Sequence, residues 1–146
     1  MQLLNPRSPA QAVAWARTLI TGKPTGLTGK CDHFVGLAYG WGHSGDATAL
    51  VTWNHALEQH KGDTKPPAGA LVVWQYKGPS NPGHIALVSD KGTVISTDVP
   101  GTDQVGEVPL GWFAKNWPGM TYLGWIPPLF KAPGAPISKP VFPGRV

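Results

Sequence analysis

His84-Ile85-Ala86-Leu87-Val88-Ser89-Asp90-Lys91-Gly92-Thr93-Val94-Ile95-Ser96-Thr97-Asp98 reads as two strands joined by a three-residue loop. Both arms are apolar and rich in β-branched residues, and turn formers separate them. A three-residue hairpin loop commonly closes on a left-handed residue, usually glycine, and Gly92 stands at that position. In this register Ser89 faces Thr93 and, counting outward, His84 faces Asp98 on one side of the sheet. A two-residue turn would put Asp98 on the other face, because a one-residue slip inverts every side chain.

The same logic extends in both directions. Ala70-Leu71-Val72-Val73-Trp74-Gln75-Tyr76 is a run of buried-strand type, and the turn-dense segment 77–83 separates it from His84. His84 therefore opens its strand at a sheet rim. Region 109–117 reads as a short helix and Thr121–Ile126 as a last strand. Upstream lie three helical patterns. The first opens at Ser8-Pro9-Ala10-Gln11, a capping serine with proline at the first helical position and glutamine three residues on, and ends by Gly22 and Pro24. The second spans about Cys31 to Tyr39. The third starts at Ser44-Gly45-Asp46 and fades in the polar stretch 58–63. Helices followed by strands give an α+β fold. Residues 1–128 form one domain, and the Pro/Gly-rich segment 129–146 reads as a linker or tail without a packed element.

With 146 residues, 41% of them apolar, the chain has enough material for a core. A net charge of +4, spread without a basic run, gives little support for nucleic-acid binding. No apolar stretch approaches a membrane span, so no membrane insertion is expected. His55 and His60 are five apart and there is a single cysteine, which argues against zinc. No metal or cofactor is expected. Gly36, Gly40 and Gly42 lack the context of a phosphate loop.

The single cysteine, Cys31, stands at a helix N-terminus. It is either a small buried hydrophobe or a reactive thiol. Unpaired N–H groups and the helix dipole favour the thiolate there. With a base, Cys31 would be a nucleophile; His84 is the base the hairpin nominates and Asp98 the residue that fixes its imidazole. The Cys31 N–H is the first oxyanion donor, with Asp32 or the loop Thr25–Lys30 the places for a second. Asp32, Trp41, Trp74 and Trp112 are candidate substrate-binding residues. For the tryptophans core packing is the competing role.

Cys31-x-x-Phe34-Val35 at a helix start, Gly69-Ala70-Leu71-Val72-Val73-Trp74 and Gly83-His84-Ile85-Ala86-Leu87-Val88 together resemble the papain-like peptidoglycan hydrolases, the CHAP domains and the related NlpC-type peptidases. The resemblance covers roughly residues 9–126. It implies a papain-like α+β fold in which the Cys helix packs on a central antiparallel sheet carrying the His. It also implies Cys31 and His84 as the catalytic pair, Asp98 as third residue, and bacterial peptidoglycan as partner, cleaved at a peptide amide by an endolysin-like monomer. Two positions depart from the family pattern: Gly69-Ala70 stands where Gly-Asp is frequent, and Asp32-His33 follows the cysteine where NlpC-type members carry Ser-Gly. Met1–Pro6 lacks a basic start and an apolar run, so no signal peptide is expected. The protein would be made in the cytoplasm and reach the wall on phage lysis or by other export. The competing readings are a cysteine hydrolase, acyltransferase or toxin acting on another amide, and a non-catalytic wall-binding domain.

Overall fold

A computed structural model describes residues 5–23, 26–77 and 81–137. It is a mixed structure of helices and antiparallel sheet. The first helix, α1 (Pro9–Gly22), begins as its sequence dictates: Ser8 Oγ accepts from the Gln11 N–H, and Gln11 Oε1 accepts from the Ser8 N–H. Next come α2 (Cys31–Ala38) and α3 (Ala49–His55). The third helix starts later than expected, because Thr48, not Ser44, caps it. Ser44 instead takes the Asp46 N–H on its hydroxyl and forms a turn.

Strands β1 (His60–Lys61), β2 (Leu71–Gln75), β3 (His84–Val88), β4 (Thr93–Thr97), β5 (Val105–Pro109) and β6 (Thr121–Ile126) form one sheet in the order β1-β6-β2-β3-β4-β5. Every neighbouring pair is antiparallel. The short helix α4 (Trp112–Asn116) precedes β6. Two strands were not foreseen. β1 is a two-residue polar edge, and the β5 pattern is disguised by Gly106 and Pro109. Gly106 is required where it stands, since a Cβ there would meet Val99 O at 2.4 Å.

Alternation along the strands divides the core into two layers. Leu71, Val73, Ile85, Leu87 and Ile95 face the three N-terminal helices and meet Phe34, Val35 and Ala38 of α2. Val72, Trp74, Ala86, Val88 and Val94 face Phe113 of α4. Burying a Val, Leu, Ile or Phe side chain stabilises by roughly 1.5–3 kcal/mol, so α2 is clamped to the sheet mainly by Phe34 and Val35. Gly36 lets α2 press against the following turn, for a Cβ there would lie 2.6 Å from Ser44 N.

The hairpin has the expected register, with Leu87 opposite Ile95 and Val88 opposite Val94, and the Ser89 N–H donating to Thr93 O. The ladder ends at Leu87. The segment after 128 is not an unpacked tail as far as it is described. Gly42 N–H donates to Ala135 O, Ile137 N–H to Gly40 O, and Phe130 lies against Tyr39 with ring centroids 5.8 Å apart. Backbone pairing with residues 40–43 outweighs the Pro/Gly composition there. Residues 138–146 of the expected linker lie outside the described residues, as do Pro24, Thr25 and 78–80.

Candidate active site

Cys31 is the first residue of α2 and is 8% exposed. Its sulfur lies against the start of β3, where the N–H groups of Ile85 and Asp32 donate to it. Burial pushes the thiol up to about 12; the two amides pull it down, and the carboxylates of Asp32 and Asp98 add to the rise. The resting thiol is therefore protonated.

The peptide that supplies the Ile85 N–H also carries His84. Strand alternation sends the imidazole toward α4, where it is 4% exposed among Trp74, Phe113 and Trp117 at centroid separations of 6.0, 5.2 and 4.8 Å. Burial in this aromatic cage lowers His84 to about 3, so the ring is neutral. Its Nε2 lies 2.5 Å from Ser96 Oγ. The Ser96 hydroxyl has one proton, which it gives to Thr97 O at 3.0 Å, and a carbonyl can only accept. With its proton on Thr97 O, Ser96 Oγ accepts from His84. In that arrangement the imidazole proton is on Nε2 and Nδ1 keeps its lone pair. Among the described residues no hydrogen bond joins the ring to Cys31.

Asp98 is placed differently from expectation. It has a left-handed backbone, φ 61°, which takes it out of the strand. Its Oδ2 accepts from the Gly29 N–H at 3.0 Å and its Oδ1 from the Asp103 N–H at 2.8 Å. Asp103 in turn accepts from the Gly26 N–H and the Thr28 hydroxyl. Asp98 thus pins the loop that leads into Cys31 and lies on the thiol side, while Ser96 takes the imidazole. Ser96 was readable in principle: in the expected register it is the diagonal, same-face neighbour of His84, within reach of a long side chain.

The substrate-binding candidates mostly serve the interior. Asp32 is 3% exposed and its carboxylate is turned inward to the hydroxyls of Ser44 and Thr52. Trp41 is buried and donates Nε1–H to Asn5 Oδ1. Trp74 is buried against Phe113, centroids 4.2 Å apart. Trp112 is half-buried, edge-on to Phe113 and Trp117. Composition could not separate these roles, because a tryptophan in a core and one in a cleft look alike in sequence. Two further rings beside the site were not foreseen. Tyr76 stacks on Trp117 at 6.5 Å, and its hydroxyl is raised by burial and then by the charges of Cys31 and Asp98. Among the described residues, no group of three or more His, Cys, Asp or Glu side chains is arranged to hold a metal ion. No helix there is long and apolar enough to cross a membrane. An apolar groove of about 470 Å³ between residues 55–58 and Pro127–Lys131 includes none of Cys31, His84, Ser96 and Asp98.

Comparison with known proteins finds no matching protein-family model, no matching curated protein and no matching solved structure.

Proposed function

We propose that this chain is a papain-like cysteine hydrolase that cleaves an amide bond in peptidoglycan peptides. The observation that carries the reading is a shared peptide: its N–H donates to the Cys31 sulfur, beside the Asp32 N–H, and the residue before it is His84, whose imidazole lies against Ser96. The substrate class rests on the sequence resemblance in the Cys and His blocks.

In this reaction His84 Nδ1 takes the thiol proton as the sulfur attacks the peptide carbonyl. The tetrahedral oxyanion forms at the α2 N-terminus, where the Cys31 N–H points. The imidazolium then protonates the leaving amine as the C–N bond breaks, leaving a thioester. Water, deprotonated by the same Nδ1, hydrolyses it and restores the thiol. Burial pushes the thiol up and the imidazole down, so both favour their neutral forms and proton transfer is coupled to attack.

The test is digestion of purified bacterial cell walls with mass spectrometry of the soluble fragments. The expected result is release of peptides with a new amine and a new carboxylate from one bond type, abolished by Cys31→Ala. Lysis that survives this substitution would remove the thiol mechanism. A protein that cleaves a small amide or thioester but no wall would move the substrate class instead.

A further inference from the structure

Asp32 and Asp46 share a single hydroxyl. Thr52 Oγ1 lies 2.7 Å from Asp32 Oδ1 and 3.0 Å from Asp46 Oδ2. A threonine hydroxyl has one proton to give, and an ionised carboxylate can only accept. With both carboxylates ionised, one of these contacts would set lone pair against lone pair. The other oxygens are already engaged: Ser44 Oγ faces both Asp32 Oδ2 and, at 3.1 Å, Asp46 O, and Asp46 Oδ1 faces His55 Nδ1 at 2.7 Å. One more proton on a carboxyl relieves the clash at Thr52. Asp46 has a basic partner at its outer oxygen, whereas Asp32 is surrounded by two hydroxyls and is 3% exposed.

We propose that Asp32 carries a proton in the folded protein, donates it to Thr52 Oγ1, and so acts as a positioning residue for Cys31, its neighbour at the head of α2. The chain then runs Asp32 to Thr52 to Asp46 to His55, from the root of the thiol helix to the end of α3. The groups that face Asp32 agree with this. Asp46 and Ser44 come from the turn before α3, and Thr52 from α3 itself with His55 behind Asp46. On its own helix stands Cys31, while His33 faces Lys30 and His43. The sheet offers the Ile85 amide and the turn after β4 offers Asp98, both toward Cys31. The Arg7 guanidinium reaches the far end of α2, at Leu37 O and Ala38 O. Among the described residues, no cation lowers the Asp32 carboxyl.

Burial first, and then the Asp46 charge, raise Asp32 to about 6 against the pull of its two hydroxyl partners. Below that pH the chain is closed. Above it Thr52 can serve only one carboxylate, and a negative charge stands beside the thiol and opposes its ionisation. Asparagine at position 32 reproduces the protonated form at every pH, its amide donating to Thr52 and its oxygen accepting from Ser44.

The inference rests on the proposed thiol chemistry only for its effect on turnover; its test does not. In the full chain, the Asp32 carboxyl carbon is titrated by ¹³C NMR, and Cys31 alkylation by iodoacetamide is followed from about pH 5 to 8.5 in the native protein and in Asp32→Asn. The expected midpoint is near 6, with Asp32→Asn alkylated roughly three-fold faster at pH 8, half a pKa unit, and the two proteins converging below about pH 5. A midpoint below 4, or rates of the two proteins that run parallel at all pH, overturns the proposal. If Asp32→Asn does not fold, the native titration decides alone. Failure of the wall digestion leaves both readouts intact.

Discussion

His84 Nε2 meets Ser96 Oγ at 2.5 Å, across one strand and two residues short of the position directly opposite the histidine. The contact selects the imidazole tautomer: with the serine proton on Thr97 O, the ring proton is on Nε2. Ser96→Ala leaves a buried ring N–H without a partner, which costs about 1–3 kcal/mol of stability. It also frees the ring to carry its proton on Nδ1, where it cannot act as a base. The expected outcome is a drop in kcat on the order of a hundred-fold with KM little changed, the lower range of what a general base contributes. Ser96→Thr keeps the hydroxyl and should restore most of the rate. A Ser96→Ala enzyme with native kcat would show that the ring is oriented by something else.

Asp98 should behave in the opposite way. Its carboxylate holds the Gly29 and Asp103 amides and lies near the thiol. Asp98→Asn keeps an acceptor oxygen and removes the charge, so Cys31 alkylation at pH 8 should rise by about three-fold while kcat stays within a few-fold. Asp98→Ala loses both amide partners and should lower Tm. If Asp98→Asn abolishes turnover and Ser96→Ala does not, the two roles are reversed.

How far these residues were legible follows from what each depends on. The hairpin register was readable from Gly92 and the alternation around it, and the face of His84 followed. Asp98 was misplaced because its left-handed φ depends on the turn to Asp103, which a strand pattern does not encode. Cys31 was readable as a helix start, since glycine and lysine before it and an apolar helix after it are local signals. Its Ile85 amide donor was not, because that N–H arrives from 54 positions away, residue 85 less residue 31. The Asp32 network was hidden for the same reason. Ser44, Asp46 and Thr52 carry meaning only once Gly36 brings the turn against α2.

The neutral state of His84 makes stability depend on acid. Its folded pKa, about 3, is lower than the ordinary 6.5 of the unfolded chain. The unfolded state therefore takes up a proton first, and stability present above 6.5 is lost as the pH falls toward 3. Between pH 7 and pH 5 this single group should remove about 2 kcal/mol, seen as a falling urea midpoint. His84→Gln should flatten the loss. Asp32 works against it, since its raised pKa adds stability as the pH falls from about 6 toward 4. The Asp32→Asn protein should accordingly show the steeper acid loss of the two. Equal slopes in native, His84→Gln and Asp32→Asn proteins would contradict both assignments.

Farther from the thiol, Arg17 ties α1 to the edge of the sheet. Its Nε and Nη2 meet the two Glu107 oxygens at 3.0 Å each, and Nη2 also reaches Asp90 Oδ1 at 2.8 Å. Thr93 Oγ1 donates to the same carboxylate. The bidentate geometry and these neighbours hold Glu107 down to about 2, with the Arg17 hydrogen bonds the main cause. A depressed carboxylate contributes stability that is complete above its unfolded value of about 4.5 and disappears as the pH falls toward 2. Arg17→Ala should lower Tm by a few degrees at neutral pH, through loss of the pair and of the contact between α1 and β5. The difference from the native protein should narrow steadily below pH 4.5, because protonated Glu107 no longer needs the guanidinium. It should also shrink in high salt, since the pair is partly exposed. A Tm difference that stays constant from pH 7 to pH 3 would assign the effect of Arg17 to packing of its alkyl stem alone.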